Sequence, residues 1–346
     1  MKISSIETIP IRIPFLEPFK VTYGALSGSD HVIVRIHTNE GLVGLGDASP
    51  LTFFTGETQA SAMAAVSELL SPLLVGEDPL EVERLIDKMD KVAGNHSAKS
   101  AIDQALHDLA GKFLETPVYN LLGGRYRDRV QVSTGIGIKE PEAMAKDVVW
   151  VKEQGFHTVK IKIGLEPTKD VERVRAVREA VGDDMEIRVD ANAGYDSKTA
   201  IRVIGCIEKY RPQYVEQPVA EHAIKDMAMV RRSVNVPIMA DESVFSPQDA
   251  LEIVKMEAAD IIGVKFSKCG GIWKAKRIAA IADSAGLPCV MISAFESGIG
   301  LAANAQVAAS TRNMGLPCEL AMWTIHKHDP TKGLEVEGEH IKLTNR

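Results

Sequence analysis

The segment HTVKIKIG, residues 157–164, decides the fold of this chain. In it, Val159, Ile161 and Ile163 alternate with Lys160 and Lys162. This alternation is the period of a β-strand that has an apolar face on one side and two amines on the other. Further short apolar segments recur roughly every 25 to 30 residues, separated by amphipathic helical patterns, as expected of a repeated strand–helix unit.

Eight such segments predict the α/β class and, within it, a (β/α)7β barrel of the TIM type, because parallel strands joined by helices close into a ring. The segments are VQVSTGIGI (130–138), HTVKIKIG (157–164), MEIRVDAN (185–192), QYVEQP (213–218), VPIMADES (236–243), DIIGVKFS (260–267), PCVMISA (288–294) and LPCELA (316–321). We therefore expect residues 126–321 to form the barrel domain.

The residues on either side of the barrel predict a second domain. Residues 1–47 contain three strand patterns, with Asn39-Glu40-Gly41 as a turn, and residues 97–114 repeat apolar side chains at helical spacing. The C-terminal pattern GLEVEGEHIKLT (333–344) predicts a β-hairpin that returns to the first domain. We expect an α+β capping domain built from residues 1–125 and completed by the C-terminal segment 322–346.

The composition excludes several classes of partner. The 346 residues carry a net charge of −7 at pH 7 without a dense run of Lys and Arg, so nucleic acid and an anionic membrane surface are poor partners. We find no stretch of about 18 uninterrupted apolar residues and no apolar signal-peptide core at the N-terminus. The four cysteines are scattered, which favours a reducing cytoplasm. We expect a cytoplasmic protein that acts on a small molecule.

Five charged residues stand at the C-terminal ends of five successive predicted strands. They are Lys162, Asp190, Glu216, Asp241 and Lys265, at separations of 28, 26, 25 and 24 residues. Side chains at the C-terminal strand ends of such a barrel surround one mouth, where active sites are found. Any one of them alone could be an exposed lysine or a helix cap, but these explanations would have to coincide on five consecutive strands.

The three acidic residues predict a metal site. Asp190, Glu216 and Asp241 would crowd three negative charges together, which is unfavourable unless a cation neutralises them. A ligand set made only of oxygen atoms favours Mg²⁺, with Mn²⁺ as the alternative, and Mg²⁺ commonly keeps positions for water or a substrate carboxylate. We therefore expect a small-molecule carboxylate as the substrate.

The lysines predict acid–base chemistry. Lys160 and Lys162 point into the mouth together, and we expect like charge and partial burial to lower their pKa values so that Lys162 can act as a base. The predicted strand of Lys265 comes four strands after that of Lys162. In a ring of eight strands, the two lysines would therefore stand on opposite sides. One amine could then remove the proton α to a carboxylate while the other returns it, with the metal ion stabilising the enediolate. This is the chemistry of a racemase or epimerase.

The motifs that carry these residues, in order along nearly the whole chain, resemble the enolase superfamily. They include PFK (18–20), GNHSAK (94–99), LLGG (121–124), KIK (160–162), DAN (190–192), EQP (216–218), ADES (240–243), KCGG (268–271) and ESGIG (296–300). The resemblance is to the muconate-lactonising branch, which also holds dipeptide epimerases and o-succinylbenzoate synthases, and a lysine base with Mg²⁺ is typical of the superfamily. It implies a homo-oligomer and a cap loop near residues 18–28 that closes over the substrate. It also implies that Lys160, Thr134, Asn192, Glu296 and Glu319 lie in the site.

Two departures from the epimerases leave the outcome of the reaction open. The epimerases carry an Asp-x-Asp pair on the eighth strand for the dipeptide's ammonium group, whereas this chain has Glu319-Leu320-Ala321. The position near Gly24 also lacks the arginine that alanine–glutamate epimerases use. The alternatives are a muconate-type cycloisomerase or an o-succinylbenzoate synthase or dehydratase-type lyase with the same enolate chemistry. A third alternative, from another class of function, is a catalytically silent metal-binding barrel.

Overall fold

The computed structural model describes residues 1–332 and 334–343 of the chain. Three sheets run through these residues: a three-stranded antiparallel sheet, a seven-stranded parallel sheet and a second, small three-stranded sheet. Helices follow the strands of the parallel sheet in alternation. The protein is thus of the α/β class predicted from the strand–helix repeat.

The N-terminal residues form the antiparallel sheet and its helices. The strands are β1 (Ile3–Val21), β2 (Gly24–Thr38) and β3 (Val43–Ala48), in the order β1-β2-β3, and the predicted turn at residues 39–41 joins the last two. The helices are α1 (Thr52–Thr55), α2 (Gln59–Ala64), α3 (Ser71–Leu74), α4 (Val82–Asp90), α5 (His96–Phe113) and α6 (Val118–Leu121), with a π-helical turn at Ala65–Leu70.

Helix α5 covers this sheet through small residues. Ala98, Ala101 and Ala105 are among its buried side chains, as the helical spacing predicted. Gly46 of β3 allows the close approach, because a Cβ at that position would stand 1.8 Å from the carbonyl oxygen of Ala101. The α+β cap expected from the N-terminal residues is therefore present.

The parallel sheet has the strand order β5 to β11, each beside its neighbour in sequence. After β4 (Arg129–Gln131), its strands are β5 (Thr134–Ile136), β6 (Thr158–Lys162), β7 (Glu186–Asp190), β8 (Tyr214–Glu216), β9 (Ile238–Ala240), β10 (Ile261–Val264) and β11 (Cys289–Met291). The helices are α7 (Pro141–Glu153), α8 (Pro167–Val181), α9 (Ser197–Ile207), α10 (Ile224–Ser233), α11 (Pro247–Lys255), α12 (Phe266–Cys269), α13 (Ile272–Ser284) and α14 (Gly298–Ala309), with 3₁₀ turns at Glu208–Tyr210 and Met322–Thr324.

The eighth predicted strand, LPCELA, is reduced to two bridging residues. Cys318 bridges to Val132, and Glu319 bridges to Ile292, both in the parallel sense. The backbone N–H of Cys318 donates to Gln131 and that of Glu319 donates to Met291, each at 2.8 Å. Pro317, immediately before them, has no N–H with which to extend the pairing. These two residues nevertheless connect to both edges of the seven-stranded sheet.

The C-terminal segment contacts both parts of the protein. Residues 325–327 pair with β1, where Ile325 accepts from the N–H of Leu16 and Lys327 donates to Pro14, each at 2.8 Å. The predicted hairpin forms as β12 (Glu335–Glu337) and β13 (His340–Lys342). Its partner is β4, just before the parallel sheet, rather than a strand of the cap. Gly333 and residues 344–346, which complete the predicted hairpin and segment, lie outside the described residues.

The cap and the parallel sheet bury separate hydrophobic cores. One cluster joins β2, β3 and the helices of the cap, and the other fills the space between the parallel strands and their helices. Phe15, Phe19 and Val21 of β1 belong to the second cluster. Among the described residues, no helix combines the length and apolar character needed to cross a membrane.

Candidate active site

Strand register brings the predicted chemical residues together. Lys162 is paired with Asp190 between β6 and β7, and Asp190 is paired with Glu216 between β7 and β8. Paired residues on neighbouring parallel strands face the same side of the sheet, so these side chains stand next to one another. Asp241 and Lys265 follow directly after β9 and β10. The five residues thus lie at the C-terminal edge of consecutive strands, as predicted from their spacing.

Lys162 and Lys265 each contact a different carboxylate. The Nζ atom of Lys162 lies 2.5 Å from Oδ2 of Asp190, and Lys265 donates to Oδ2 of Asp241. The two lysine side chains keep 10% and 9% of their surface exposed, whereas the two carboxylates keep none. Both lysines line the same cavity, of about 60 Å³, together with Lys160. The amines therefore face the cavity, and the carboxylates lie behind them.

Lys160 lies deeper, among three acids. Its Nζ is 3.0 Å from Oε2 of Glu216 and 3.3 Å from Oδ2 of Asp190, and it also donates to Glu319. Glu319 accepts a further hydrogen bond of 2.8 Å from the hydroxyl of Tyr214. Acidic side chains of the protein thus neutralise the charge of Lys160 without a substrate, and Glu319 serves as its counter-ion.

The carboxylates shift the lysine pKa values in the direction opposite to that expected. Burial by itself would lower the pKa of Lys160, but the charges of Glu216, Glu319 and Asp190 outweigh it and hold the pKa well above its usual range. Burial is likewise outweighed at Lys265, where Asp241 is the largest of the charges that raise the pKa. The expectation that a neighbouring amine lowers the pKa is wrong for Lys160, because the acids around it contribute more than the amine next to it.

The three predicted metal ligands fit a hard cation in charge and donor type. Asp190, Glu216 and Asp241 are fully buried, and Oε1 of Glu216 accepts no hydrogen bond. Burial and the charge of Asp190 raise the pKa of Glu216 well above its ordinary value. Within residues 1–332 and 334–343, no three His, Cys, Asp or Glu side chains already converge as a metal cluster, since the lysines stand against the carboxylates. All-oxygen ligands with excess negative charge are the type that Mg²⁺ prefers.

Sequence reasoning missed two charged residues of the site. Lys268 of the KCGG motif is fully buried, with its Nζ 2.7 Å from Oδ1 of Asp241, and it donates to the carbonyl oxygens of Asp241 and Gly263. Glu242 accepts from the hydroxyl of Tyr23 at 2.8 Å, while its Oε2 has no partner. Both were detectable, because Lys268 follows Lys265 by three residues and Glu242 follows Asp241 in the same motif.

The face of the parallel sheet that carries Lys160 also contains a residue that was not predicted. Arg188 precedes Asp190 by two residues on β7, so it faces the same side, and it is fully buried. Its guanidinium lies 4.9 Å from the ring centre of Tyr214 and donates to the carbonyl oxygen of Pro317 at 2.6 Å. The alternation in RVD was the available signal for this interior position.

Asn192 and Thr134, two of the expected substrate contacts, are placed differently. Asn192 lines the lysine cavity and donates to Glu242 at 3.0 Å. Thr134 is paired with Val159, on the outer face of the sheet, and lines a separate cavity of about 220 Å³ beside Trp150. Thr134 therefore points away from the lysines, contrary to expectation. The inward position of that strand is Gly135, opposite Lys160.

Glu296 shapes the loop next to the cavity rather than lining the cavity. It accepts from the backbone N–H of Ala294 at 2.7 Å and from the hydroxyl of Ser293. The residues just before it, from Ile292 to Phe295, form one wall of the lysine cavity. Its carboxylate thus stabilises the turn that presents this wall.

The cap supplies the remaining wall, which is mainly apolar. Val21 ends β1, Tyr23 lies in the turn that follows and Leu26 lies near the start of β2, whereas Leu51, Phe53 and Phe54 follow β3. The ring centre of Phe54 lies 4.5 Å from Nζ of Lys265. The cap loop expected near residues 18–28 therefore does lie over the lysines.

Two family models together match most of the chain. Residues 5–123 match the mandelate racemase/muconate lactonizing enzyme N-terminal domain, and residues 143–346 match the enolase C-terminal domain-like family. The hydrophobic dipeptide epimerase of Enterococcus faecalis is 40% identical over 343 residues, which cover 99% of this chain and 96% of the relative. The N-succinyl-L-Arg/Lys racemase of Bacillus cereus is 38% identical, with 90% of this chain and 85% of the relative covered.

A solved structure shows the same fold. The dipeptide epimerase of Enterococcus faecalis V583, complexed with Mg and the dipeptide L-Leu-L-Tyr, has a TM-score of 0.96 at 38% identity and covers 100% of this chain and 98% of the other. The domain matches and the near-complete coverage of both chains leave no large part of the protein unassigned. The chain belongs to the mandelate racemase/muconate lactonizing enzyme family of the enolase superfamily.

Proposed function

We propose that this protein is a Mg²⁺-dependent racemase or epimerase that removes the proton α to the carboxylate of an amino-acid derivative. The observation that carries the proposal is that Lys162 and Lys265 line one small cavity, each with a buried carboxylate behind it. Racemase and epimerase relatives at up to 40% identity support the same reaction class.

The two lysines would act from opposite faces of the substrate. We infer a closed (β/α)7β barrel, supported by the bridges of Cys318 and Glu319 to both edges of the parallel sheet. Lys162 ends β6 and Lys265 follows β10, four strands further along the sheet. Four positions are half of a ring of eight, so a substrate between the two amines presents one face to each. Lys162 would take the α-proton from one face and Lys265 would return a proton to the other.

Asp190, Glu216 and Asp241 would hold the metal ion. Their buried oxygens, among which Oε1 of Glu216 accepts no hydrogen bond, supply the charge and donor type for Mg²⁺ or Mn²⁺. When bound, the ion would neutralise the negative charge that develops on the substrate carboxylate as the α-proton leaves. Lys160 keeps its proton in this scheme, because Glu319 and Glu216 raise its pKa. It acts as a fixed positive charge below the site.

The substrate must be small, anionic and largely apolar. The lysine cavity of about 60 Å³ is below the roughly 300 Å³ at which ligand pockets begin, so the β1–β2 turn has to move outward for a substrate to enter. The wall contributes amines and apolar side chains, which suit a carboxylate attached to an apolar body.

Cytoplasmic location and homo-oligomer formation stay predictions. All four cysteines are unpaired, as a reducing compartment would require.

A cycloisomerase or lyase of the same family is the second candidate. It is favoured by Glu319, whose carboxylate is already engaged by Lys160 and Tyr214, and by Ala321, a buried apolar residue two positions later. An ammonium group of a dipeptide would find no free acid on these two residues. Elimination would remove the α-proton and expel a β-leaving group, whereas ring closure would add a carboxylate oxygen to a conjugated double bond and protonate the resulting enolate. Either reaction needs proton transfer by only one of the two lysines, with the other stabilising the enolate.

Deuterium uptake separates these candidates. In deuterated water with Mg²⁺, the enzyme should place deuterium on the α-carbon of N-succinyl amino acids or dipeptides, which NMR detects. An N-succinyl amino acid should lose its optical rotation, whereas a dipeptide should give a second diastereomer. Chelation with EDTA should stop the exchange. Lys169→Ala removes a surface lysine paired with Glu140 and should keep wild-type rates. It is the control for substitutions of Lys162 and Lys265. Formation of an alkene or a lactone without exchange into a recovered stereoisomer would contradict the racemase assignment.

A further inference from the structure

The end of β3 contacts the loop that forms one wall of the lysine cavity. We name residues 292–297 the wall loop. The hydroxyl of Ser49 donates to the carbonyl oxygen of Ala294 at 2.6 Å. Asp47, two residues earlier, accepts from both the backbone N–H and the hydroxyl of Ser297, each at 2.8 Å. Two residues of the cap therefore hold the wall loop at separate points.

Asp47 is itself fixed in place by the cap. Its Oδ1 lies 3.1 Å from Nδ1 of His31, whose Nε2 is 2.8 Å from the hydroxyl of Ser29. The side-chain amide of Gln104 accepts from the backbone N–H of Asp47 and donates to the backbone carbonyl oxygen of Asp47. Burial by itself would raise the pKa of Asp47, but the charge of His31 and hydrogen bonds from His31 and Ser297 hold it below its usual value. Asp47 is therefore a rigid, charged acceptor.

The ESGIG motif is built to receive this carboxylate. A Cβ on Gly300 would stand 2.9 Å from Oδ2 of Asp47 and 2.6 Å from Cβ of Glu296, so only glycine leaves the acid room. Phe295 in the wall loop has a φ of 65°, a conformation that non-glycine residues hold only when their surroundings fix it. Its ring lies 5.4 Å from that of Phe19 and 5.0 Å from that of Phe15.

Phe15, Phe19 and Val21 of β1 pack into the core of the parallel sheet, so this boundary has apolar contacts as well as directional ones. Apolar packing tolerates small sliding movements, whereas a buried charged hydrogen bond has one favourable geometry. The wall loop contributes Ile292, Ala294 and Phe295 to the cavity that also contains Lys265. A shift of the cap would therefore move the wall relative to the amine.

We propose that Asp47 is a positioning residue for proton transfer, which acts through Ser297 to fix the wall loop and so couples docking of the cap to the shape of the cavity beside Lys265. The kinetic part of this inference rests on the proposed racemase or epimerase function. The structural part is independent of it.

Asp329 provides a matched control. Its Oδ2 accepts from the N–H of Gly298 at 2.7 Å, the residue next to Ser297 at the start of α14, but Asp329 belongs to the C-terminal segment. Asp47→Asn and Asp329→Asn each remove one carboxylate from the same helix terminus. Only the first breaks a contact between the cap and the wall loop. Ser49→Ala removes the other cap contact with a smaller disturbance, should Asp47→Asn fail to fold.

Amide hydrogen exchange by mass spectrometry, together with kcat and KM, tests the proposal. Asp47→Asn should speed exchange in residues 292–297 at least about 10-fold and lower kcat about 10- to 100-fold, as misplacement by about 1 Å does, with the KM for Mg²⁺ within about twofold of wild type. Asp329→Asn should speed exchange only from residue 298 onward and change kcat less than about twofold. Ser49→Ala should act in the direction of Asp47→Asn.

Equal effects of the two Asp variants on kcat, or unchanged exchange of residues 292–297 in Asp47→Asn, would overturn the proposal. If the wild-type protein exchanges no α-proton with any carboxylate offered, the proposed function fails. The hydrogen-exchange comparison then decides the role of Asp47 without reference to the reaction.

Discussion

Glu216 in the site and Asp47 at the cap boundary are both fully buried carboxylates, but their surroundings differ. Asp47 uses both oxygens, one with His31 and the other with Ser297, and its pKa is lowered. Glu216 has one oxygen on Lys160 and one with no hydrogen bond, and its pKa is raised well above the usual value. A buried charge with all partners in the protein stabilises the fold. A buried carboxylate with an oxygen that accepts no hydrogen bond has a position open for a ligand.

The largest contrast should appear when each acid is replaced by its amide. Glu216→Gln should lower turnover at least about 10³-fold, because it removes a metal ligand. The same substitution should leave the metal-free protein as stable as wild type or more stable by about 1 kcal/mol, since it removes a desolvated acid beside Asp190 while Lys160 keeps Glu319 as its counter-ion. Urea unfolding with EDTA present measures this. A marked loss of stability would show that Glu216 is a structural acid.

Asp47→Asn should have the opposite effect on stability. Removing the charge that faces buried His31 should lower the free energy of unfolding by about 3 kcal/mol, because the histidine loses its counter-ion. The hydrogen bonds of Gln104 to the backbone of residue 47 remain, so the fold should persist. Urea unfolding at pH 7 checks the value. A change below about 0.5 kcal/mol would mean that the network does little for the fold.

Metal binding should stabilise only the protein with a complete acid set. At 100 times its dissociation constant, Mg²⁺ should add about 2.7 kcal/mol to the stability of the wild-type protein. Differential scanning fluorimetry with and without Mg²⁺ shows this as a rise in Tm. The rise should vanish in Glu216→Gln and remain in Asp329→Asn. A wild-type Tm that does not change when Mg²⁺ is added would contradict the proposed metal site.

His326, near His31, should give the smallest effect. Burial lowers the pKa of His326 to about 4, from an ordinary value of 6.5. The unfolded chain therefore binds more protons between these values, and stability must fall as pH decreases through this range. Between pH 7 and pH 5 the contribution is about 2 kcal/mol. His326→Gln should lose that part of the pH dependence, and equal slopes for both proteins in urea unfolding would contradict the burial argument.

Local patterns predicted the strands and the residues at their ends well. The alternation in HTVKIKIG and the regular spacing of Lys162 to Lys265 are properties of single strands and of a repeated unit, which follow from chain geometry. The eighth strand was overestimated, because only Cys318 and Glu319 make its bridges. Thr134 was misplaced because the side of the sheet on which a residue lies depends on register, which one strand alone does not specify.

Contacts between distant segments could not be predicted in the same way. The hydrogen bonds from Ser297 to Asp47 join residues 250 positions apart. No periodicity in either segment encodes which acid of the cap contacts which helix beside the parallel sheet. The ESGIG motif was visible, but whether its polar residues face the substrate or the cap is decided by tertiary packing.

The central claim is that Lys162 and Lys265 address opposite faces of the substrate. It is tested most directly by NMR in deuterated water on separate enantiomers of a substrate that the wild-type enzyme racemises. Lys162→Ala should exchange the α-proton of one enantiomer only, Lys265→Ala that of the other only, and neither should invert the centre. Exchange of the same enantiomer by both variants would contradict the account.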